Sequence, residues 1–132
     1  MLWSSTYETG VPVIDEQHKE LFSQVDILLD NGKADRVPAT LNFLADYVIK
    51  HFAAEEGLQA KSAYPKAAEH KTLHTDFIAT YKDLRKECDS SGQSAIVLMK
   101  LSRTALAWLR EHIRAADKEF AFYYKRATDG KA

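Results

Sequence analysis

Apolar residues recur at spacings of three and four along most of the chain, the pattern of amphipathic helices with one buried stripe. The first such segment is predicted to start near Asp15, a good N-cap residue, and to run to residues 30–32. Its buried stripe consists of Leu21, Phe22, Val25, Leu28 and Leu29. Before it, residues 1–12 show no helical period, and Gly10 and Pro12 indicate an extended arm.

Three further segments repeat this period, and the first two of them end at turn-forming residues. The second is predicted to begin at Pro38, the third to run from Pro65 to residues 89–92, and the fourth to cover residues 94–115. A short helical tail, "DKEFAFYYKRA", follows at a bend. Because short connections make sequential helices antiparallel, the pattern predicts an all-α, up-down-up-down antiparallel four-helix bundle. It would carry an extended N-terminal arm and a short C-terminal helical tail in a single domain over residues 1–132.

Composition fits a soluble globular chain and excludes several classes of partner. The 132 residues are 45% hydrophobic and 28% charged, with a formal net charge of -1 and basic residues interleaved with acidic ones. We therefore expect no nucleic-acid partner and no binding to an anionic membrane. No signal-like or membrane-spanning run is visible, and the single cysteine, Cys88, cannot form an internal disulfide. A cytoplasmic monomer is the expectation.

The positions of the five histidines are the main chemical signal. His18 lies early in the first predicted helix, His51 past the middle of the second, and His112 late in the fourth. His70 and His74 lie early in the third. Because the helices alternate in direction, all five imidazoles are predicted to lie toward the same end of the bundle.

Spacing within the helices groups these residues with carboxylates. His70 and His74 are four apart, so their side chains stack on one helix face and can bind one metal ion together. His51 and Glu55 repeat that spacing. His112 and Asp117 are five apart, so for both to reach one site the helix must bend or end between them.

Each element of this pattern also has an ordinary interpretation. His18 alone is more typical of a surface or hydrogen-bonded histidine, and an isolated pair four apart is ambiguous. Glu55 followed by Glu56 is typical of a solvated face. The metal-site interpretation is favoured because no histidine falls outside the group and the carboxylates lie at the same level.

Four motifs resemble the hemerythrin family, in its single-domain bacterial form. They are "IDEQHKEL" at 14–21, "HFAAEE" at 51–56, "YPKAAEHKTLH" at 64–74 and "WLREHIRAAD" at 108–117. The resemblance implies a non-haem centre of two iron ions bridged by Glu55, Asp117 and an oxo or hydroxo group. It assigns the other ligands to the two irons unequally: one iron would be completed by His70, His74 and His112, and the other, held by His18 and His51, would keep an open position.

The resemblance implies reversible binding of dioxygen at the open iron, for storage, delivery to an oxygen-using enzyme or redox partner, or scavenging. Five imidazoles with two carboxylates form a less anionic ligand set than that of oxygen-activating di-iron bundles, whose Glu-x-x-His motif is absent from this sequence. This difference favours binding oxygen over splitting it. The alternatives are a di-iron redox enzyme or a sensor acting on oxygen, peroxide or nitric oxide.

The resemblance also assigns a wall to the oxygen pocket. By family position it consists of Phe52, Trp108, Leu109 and Ile113, which also suit the bundle core. Gln59 departs from the family, which commonly has methionine or another apolar residue there. It either faces the site, where an amide can bond to a bound ligand or to solvent, or points outward near the helix end.

Overall fold

The segments with helical apolar spacing form the long helices of the protein. The computed structural model describes residues 3–30, 36–92 and 94–129, and none of these residues forms a strand. The helices are α1 (Pro12–Leu29), α2 (Val37–Lys61), α3 (Ala67–Ser90) and α4 (Ala95–His112). A π-helical segment, Ile113–Asp117, joins α4 to a shorter helix α5 (Lys118–Asp129).

The four long helices close into a ring. Helix α1 contacts α2 and α4, and α3 contacts the same two helices from the other side. The inward-facing apolar residues form one core along the bundle, which includes Leu21, Phe22, Leu41, Phe77 and Leu101. The predicted all-α bundle is confirmed.

The predicted start of the first helix was wrong by three residues. Helix α1 begins at Pro12, which occupies the first turn, where its missing N–H carries no penalty. Asp15 lies inside that turn and accepts hydrogen bonds from Thr9 N at 2.8 Å, Thr9 Oγ1 at 2.7 Å and Gly10 N at 3.0 Å. Its carboxylate therefore fixes the arm against the helix instead of capping the helix from outside.

The arm and the tail are both attached to the bundle. The arm contains a 3-10 turn at Ser5–Tyr7, so it is less extended than predicted. Phe120 of α5 is fully buried against Tyr64, in a second apolar cluster beside the main core. The Tyr123 hydroxyl donates to the backbone oxygens of residues 62 and 63, whereas Phe122 is 63% exposed.

The third helix, in contrast, begins two residues later than predicted. Pro65 lies in the turn before it, and the first helical residue is Ala67. Across the described residues, no helix is both long and apolar enough to span a bilayer.

Candidate metal centre

Side chains from four helices and the π-helical segment meet in the interior, toward one end of the bundle. Each is buried, with at most 6% of its surface exposed. They are His18 of α1, His51 and Glu55 of α2, His70 and His74 of α3, His112 at the end of α4, and Asp117 at the end of the π-helical segment. The structure thus brings together the seven residues that the resemblance implied as ligands.

These residues form two overlapping groups. In each group, one donor atom per residue lies within 4.8 Å of all the others. One group contains His70, His74 and His112, the second contains His18 and His51, and both contain Glu55 and Asp117. The two carboxylates are therefore the shared members.

Each oxygen of Glu55 is directed toward a different group. Oε1 lies 2.5 Å from Nε2 of His70 and 3.2 Å from Nε2 of His74. Oε2 lies 3.7 Å from Nε2 of His51. A carboxylate in this position can bind one metal ion through each oxygen.

Asp117 has the same divided arrangement. Its Oδ1 lies 3.1 Å from Nε2 of His70 and 3.0 Å from Nε2 of His112. Its Oδ2 lies 3.0 Å from Nε2 of His18. Each of the two carboxylates therefore has one oxygen near the three-imidazole group and the other near the two-imidazole group.

The π-helical segment explains how His112 and Asp117 reach the same site. Its hydrogen bonds join residues five apart, so it places side chains at that spacing on one face. The sequence correctly located an interruption after His112. We expected the helix to bend or end there. Instead, it accommodates one extra residue in the π-helical segment and continues as α5.

Two further polar residues hold imidazoles of the cluster from outside. Oε1 of Gln17 lies 2.7 Å from Nδ1 of His51, and Oε2 of Glu56 lies 2.8 Å from Nδ1 of His74. Sequence reasoning missed both roles. The only signal was position, since Gln17 precedes His18 and Glu56 follows Glu55.

Aromatic rings cover the site on the side of the three-imidazole group. The ring of Phe52 stacks on His74 with centroids 3.8 Å apart, and Trp108 stacks on His112 at 4.3 Å. Leu109 and Ile113 are 3% and 1% exposed and belong to the same core as Phe52. The wall residues implied by the resemblance are therefore buried in the core, with only Trp108 partly exposed.

Gln59 does not point outward. Its side chain is 1% exposed, although it lies near the end of α2. Neither amide atom has a hydrogen-bond partner among the described residues.

The charges of the clustered side chains favour a positive charge among them. Burial disfavours charge on His70, but the carboxylates of Asp117 and Glu55, which lie within 3.1 Å of its Nε2, outweigh it and raise the pKa of His70 to about 9. Burial lowers the pKa of His51 to about 4. Burial alone would raise the pKa of Asp117, but the adjacent imidazoles of His112, His18 and His70 hold it well below its usual range.

The donor atoms fit a pair of cations better than they fit one another. Both oxygens of Glu55 and of Asp117, with Nε2 of His18 and of His70, lack a well-aligned hydrogen-bond partner among the described residues. Nε2 of His74 and Nε2 of His112 face each other at 3.2 Å. Buried oxygen and nitrogen atoms that converge without well-aligned hydrogen bonds are the arrangement expected of metal ligands.

Comparison with known proteins gives consistent matches over most of the chain. The family model described as Hemerythrin HHE cation binding domain matches residues 9–121. A bacteriohemerythrin of Methylococcus capsulatus is 33% identical over 122 residues, covering 89% of this chain and 92% of the relative. A bacteriohemerythrin of Stenotrophomonas maltophilia is 30% identical, covering 92% of this chain and 79% of the relative. A myohemerythrin of Theromyzon tessulatum is 30% identical, covering 89% and 88%.

Proposed function

The chain belongs to the hemerythrin family, and we propose that its buried cluster holds two iron ions and binds dioxygen reversibly. One observation carries this proposal: Glu55 and Asp117 each direct one oxygen to the three-imidazole group and the other to the two-imidazole group. Imidazole nitrogens with bridging carboxylates are a donor set that suits iron.

The unequal number of imidazoles gives the two metal positions different roles. His70, His74 and His112 would complete one iron, whereas His18 and His51 would leave a coordination position open on the other. When bound, the iron pair supplies that open position and the two electrons that reversible oxygen binding requires. An oxo or hydroxo group is proposed as the third bridge beside the two carboxylates.

The chain's own residues position these ligands and exclude water. Gln17 and Glu56 hold His51 and His74 through Nδ1, which leaves Nε2 of each directed into the site. Leu109 and Ile113 are buried close in sequence to His112 and limit the access of bulk solvent. A dry pocket is what a carrier needs, since water promotes loss of the reduced state.

We propose a carrier role, in storage, delivery or scavenging of oxygen, with an oxygen-using enzyme or redox partner downstream. Relatives over most of the chain are named bacteriohemerythrin or myohemerythrin, which supports this proposal. One observation favours the alternative of a redox enzyme. Gln59 places a polar amide inside the bundle, one helical turn beyond Glu55.

Metal analysis combined with optical spectroscopy tests the proposal. Anaerobically purified protein should contain two irons per chain. An absorption band should appear on admitting air and disappear under argon through repeated cycles. Less than one iron per chain, or retention of zinc instead, would contradict it. Immediate conversion to the diferric spectrum with release of hydrogen peroxide would favour the enzyme.

A single-ligand variant provides the internal control. His18 belongs only to the two-imidazole group, so His18→Ala should lower the iron content toward one per chain and abolish the reversible band. If the variant keeps both irons and the band, the assignment of the open position to this group is wrong.

A further inference from the structure

Gln59 is a buried amide with no partner in the described part of the chain. Its side chain is 1% exposed, and both Oε1 and Nε2 lack hydrogen bonds there. Burying an amide without partners costs free energy, so such groups in native proteins are usually bonded to internal water. A primary amide can donate two hydrogen bonds and accept two.

Its position on α2 connects it to the metal centre. Gln59 lies four residues after Glu55, so the two side chains follow each other on the same helix face. Neither oxygen of Glu55 has a well-aligned hydrogen-bond partner among the described residues, although Oε1 lies 2.5 Å from Nε2 of His70. A water molecule between the two side chains would have an amide on one side and a carboxylate on the other.

A cleft between α2 and α3 lies beside this position. It has a volume of about 230 Å³, and Gln59 forms part of its lining. The rest of the lining comprises Glu56, Ala60, Ala67, Ala68 and Lys71. Since one water in the liquid occupies about 30 Å³, the cleft has room for several. Three alanine methyl groups leave open a space that larger side chains would fill.

We propose that Gln59 binds an internal water between this cleft and Glu55, and that this water is an entry for solvent protons to the metal centre. The predicted effect of this water on oxidation rests on the proposed function. The water site itself is inferred from the buried amide and the cleft.

The chemistry of that loss explains why proton entry matters. In that loss, dioxygen would take two electrons from the iron pair and two protons from solvent and would leave as hydrogen peroxide. The pair would then be diferric, a state that does not bind oxygen. Reversible binding releases dioxygen unchanged and consumes no solvent proton, so a proton entry accelerates only the loss.

The substitution Gln59→Met tests the proposal, because methionine has a similar length and removes the buried amide without leaving a cavity. A crystal structure of the metal-loaded parent should show a water about 2.7–3.2 Å from the Gln59 amide and from Glu55, and the variant should lack it. The oxygenated variant should oxidise about tenfold more slowly than the parent. The solvent deuterium isotope effect of the parent should disappear.

Gln24→Met is the matched control, since Gln24 bonds to Glu20 on α1 and has no place in the cleft. It should oxidise at the parent rate. The proposal is overturned if Gln59→Met keeps the parent rate and isotope effect, or if no water contacts the amide in the parent crystal. The crystallographic result does not depend on oxygen binding. A parent that holds this water but never oxygenates therefore refutes the proposed function and leaves the water site standing.

Discussion

Nδ1 of His74 lies 2.8 Å from Oε2 of Glu56, a carboxylate on the neighbouring helix α2. Because a carboxylate only accepts, the imidazole donates its N–H at Nδ1, and the lone pair of Nε2 is directed into the site. Such a bond fixes both the tautomer and the orientation of a metal ligand and makes it more basic. Gln17 holds His51 in the same way, with a neutral oxygen.

Replacing Glu56 should weaken metal binding in steps. Glu56→Gln keeps an acceptor but removes the charge, whereas Glu56→Ala removes the bond to His74. We expect metal affinity to fall about 10–100-fold in the alanine variant and less in the glutamine variant. Competition with a chelator measures this. Glu87→Gln, which changes an exposed pair with Lys100, should match the parent. Parent affinity in Glu56→Ala would show that the bond has no influence on the metal.

Truncating Leu109 should both destabilise the protein and accelerate its oxidation. Leu109 is 3% exposed in the core and lies three residues before His112. Leu109→Ala should lower the free energy of unfolding by about 2–5 kcal/mol and admit water near the metal. Chemical denaturation and the decay of the oxygenated spectrum measure the two effects.

Leu101→Ala separates stability from solvent access. Leu101 is fully buried on the same helix, eight residues earlier, which is about 12 Å along the axis. It should destabilise the fold by a similar amount without changing the oxidation rate. Equal acceleration in both variants would show that general loosening of the core causes the oxidation.

His70 should make the stability of the metal-free protein depend on pH in the alkaline range. Its pKa is raised from 6.5 to about 9: burial opposes the charge, but the adjacent carboxylates of Asp117 and Glu55 outweigh it. The stabilisation from the charged imidazole is therefore complete below about pH 6.5 and is lost as the pH rises through about 9. The pKa of His51 is lowered to about 4, so its contribution is complete above about 6.5 and constant across this window.

Denaturant unfolding of metal-free parent and His70→Gln at several pH values measures this contribution. The difference between the two proteins should shrink between about pH 7 and about pH 10. Because imidazole binds metal in its neutral form, metal uptake near neutral pH should also release a proton from the parent. Calorimetry in two buffers of different ionisation enthalpy detects that release. If the difference in stability between parent and His70→Gln stays constant over this pH range, the charge on His70 does not cause the pH dependence.

Periodicity within helices carried most of the sequence prediction. The spacing of four fixes His70 and His74 on one face wherever the helix packs, and alternating helix direction sets the common level of all five imidazoles. Contacts between helices produce no periodic pattern in the sequence. In the sequence, Glu56 and Gln17 look like ordinary polar residues. Glu56 contacts His74 only because α2 packs against α3, and Gln17 contacts His51 only because α1 packs against α2.

Competition between local signals explains the remaining errors. Asp15 is a typical N-cap residue, but the proline at position 12 already suits the first turn, and the carboxylate instead bonds to Thr9 and Gly10. The π-helical segment carries no residue signature. The spacing between His112 and Asp117 showed that the helix is interrupted, without showing how.

Gly57 should be replaceable with a gain in stability. It lies within α2, its φ is not positive, and a Cβ added there would meet no heavy atom within 4 Å. Gly57→Ala should raise the free energy of unfolding by about 1 kcal/mol, because alanine loses less backbone entropy in a helix. Gly92→Ala is the contrast, since Gly92 has a φ of +69° that alanine adopts only with strain. Equal gains at both positions would contradict this explanation.

The π-helical segment allows us to predict the effect of deleting one residue. A π segment accommodates one extra residue within an α-helix, and Ala115 is an exposed residue inside this one. Deleting Ala115 should let α4 and α5 join as a continuous α-helix. His112 and the aspartate that is now Asp117 would then be four residues apart, the spacing that places α-helical side chains on one face.

We therefore expect the Ala115 deletion to retain two metal ions per chain and to unfold, when metal-free, at no lower temperature than the parent. Deleting Arg103, an exposed residue in the regular part of α4, should instead rotate His112 by about 100° relative to the core and abolish metal binding. Metal analysis and thermal unfolding are measured on both deletions. They compare Ala115, which we expect to be removable, with Arg103, which we expect the helix to require. If both deletions lose metal equally, the site depends on the π geometry itself, because restoring the α-helical spacing was not enough to bring the imidazole and the carboxylate together.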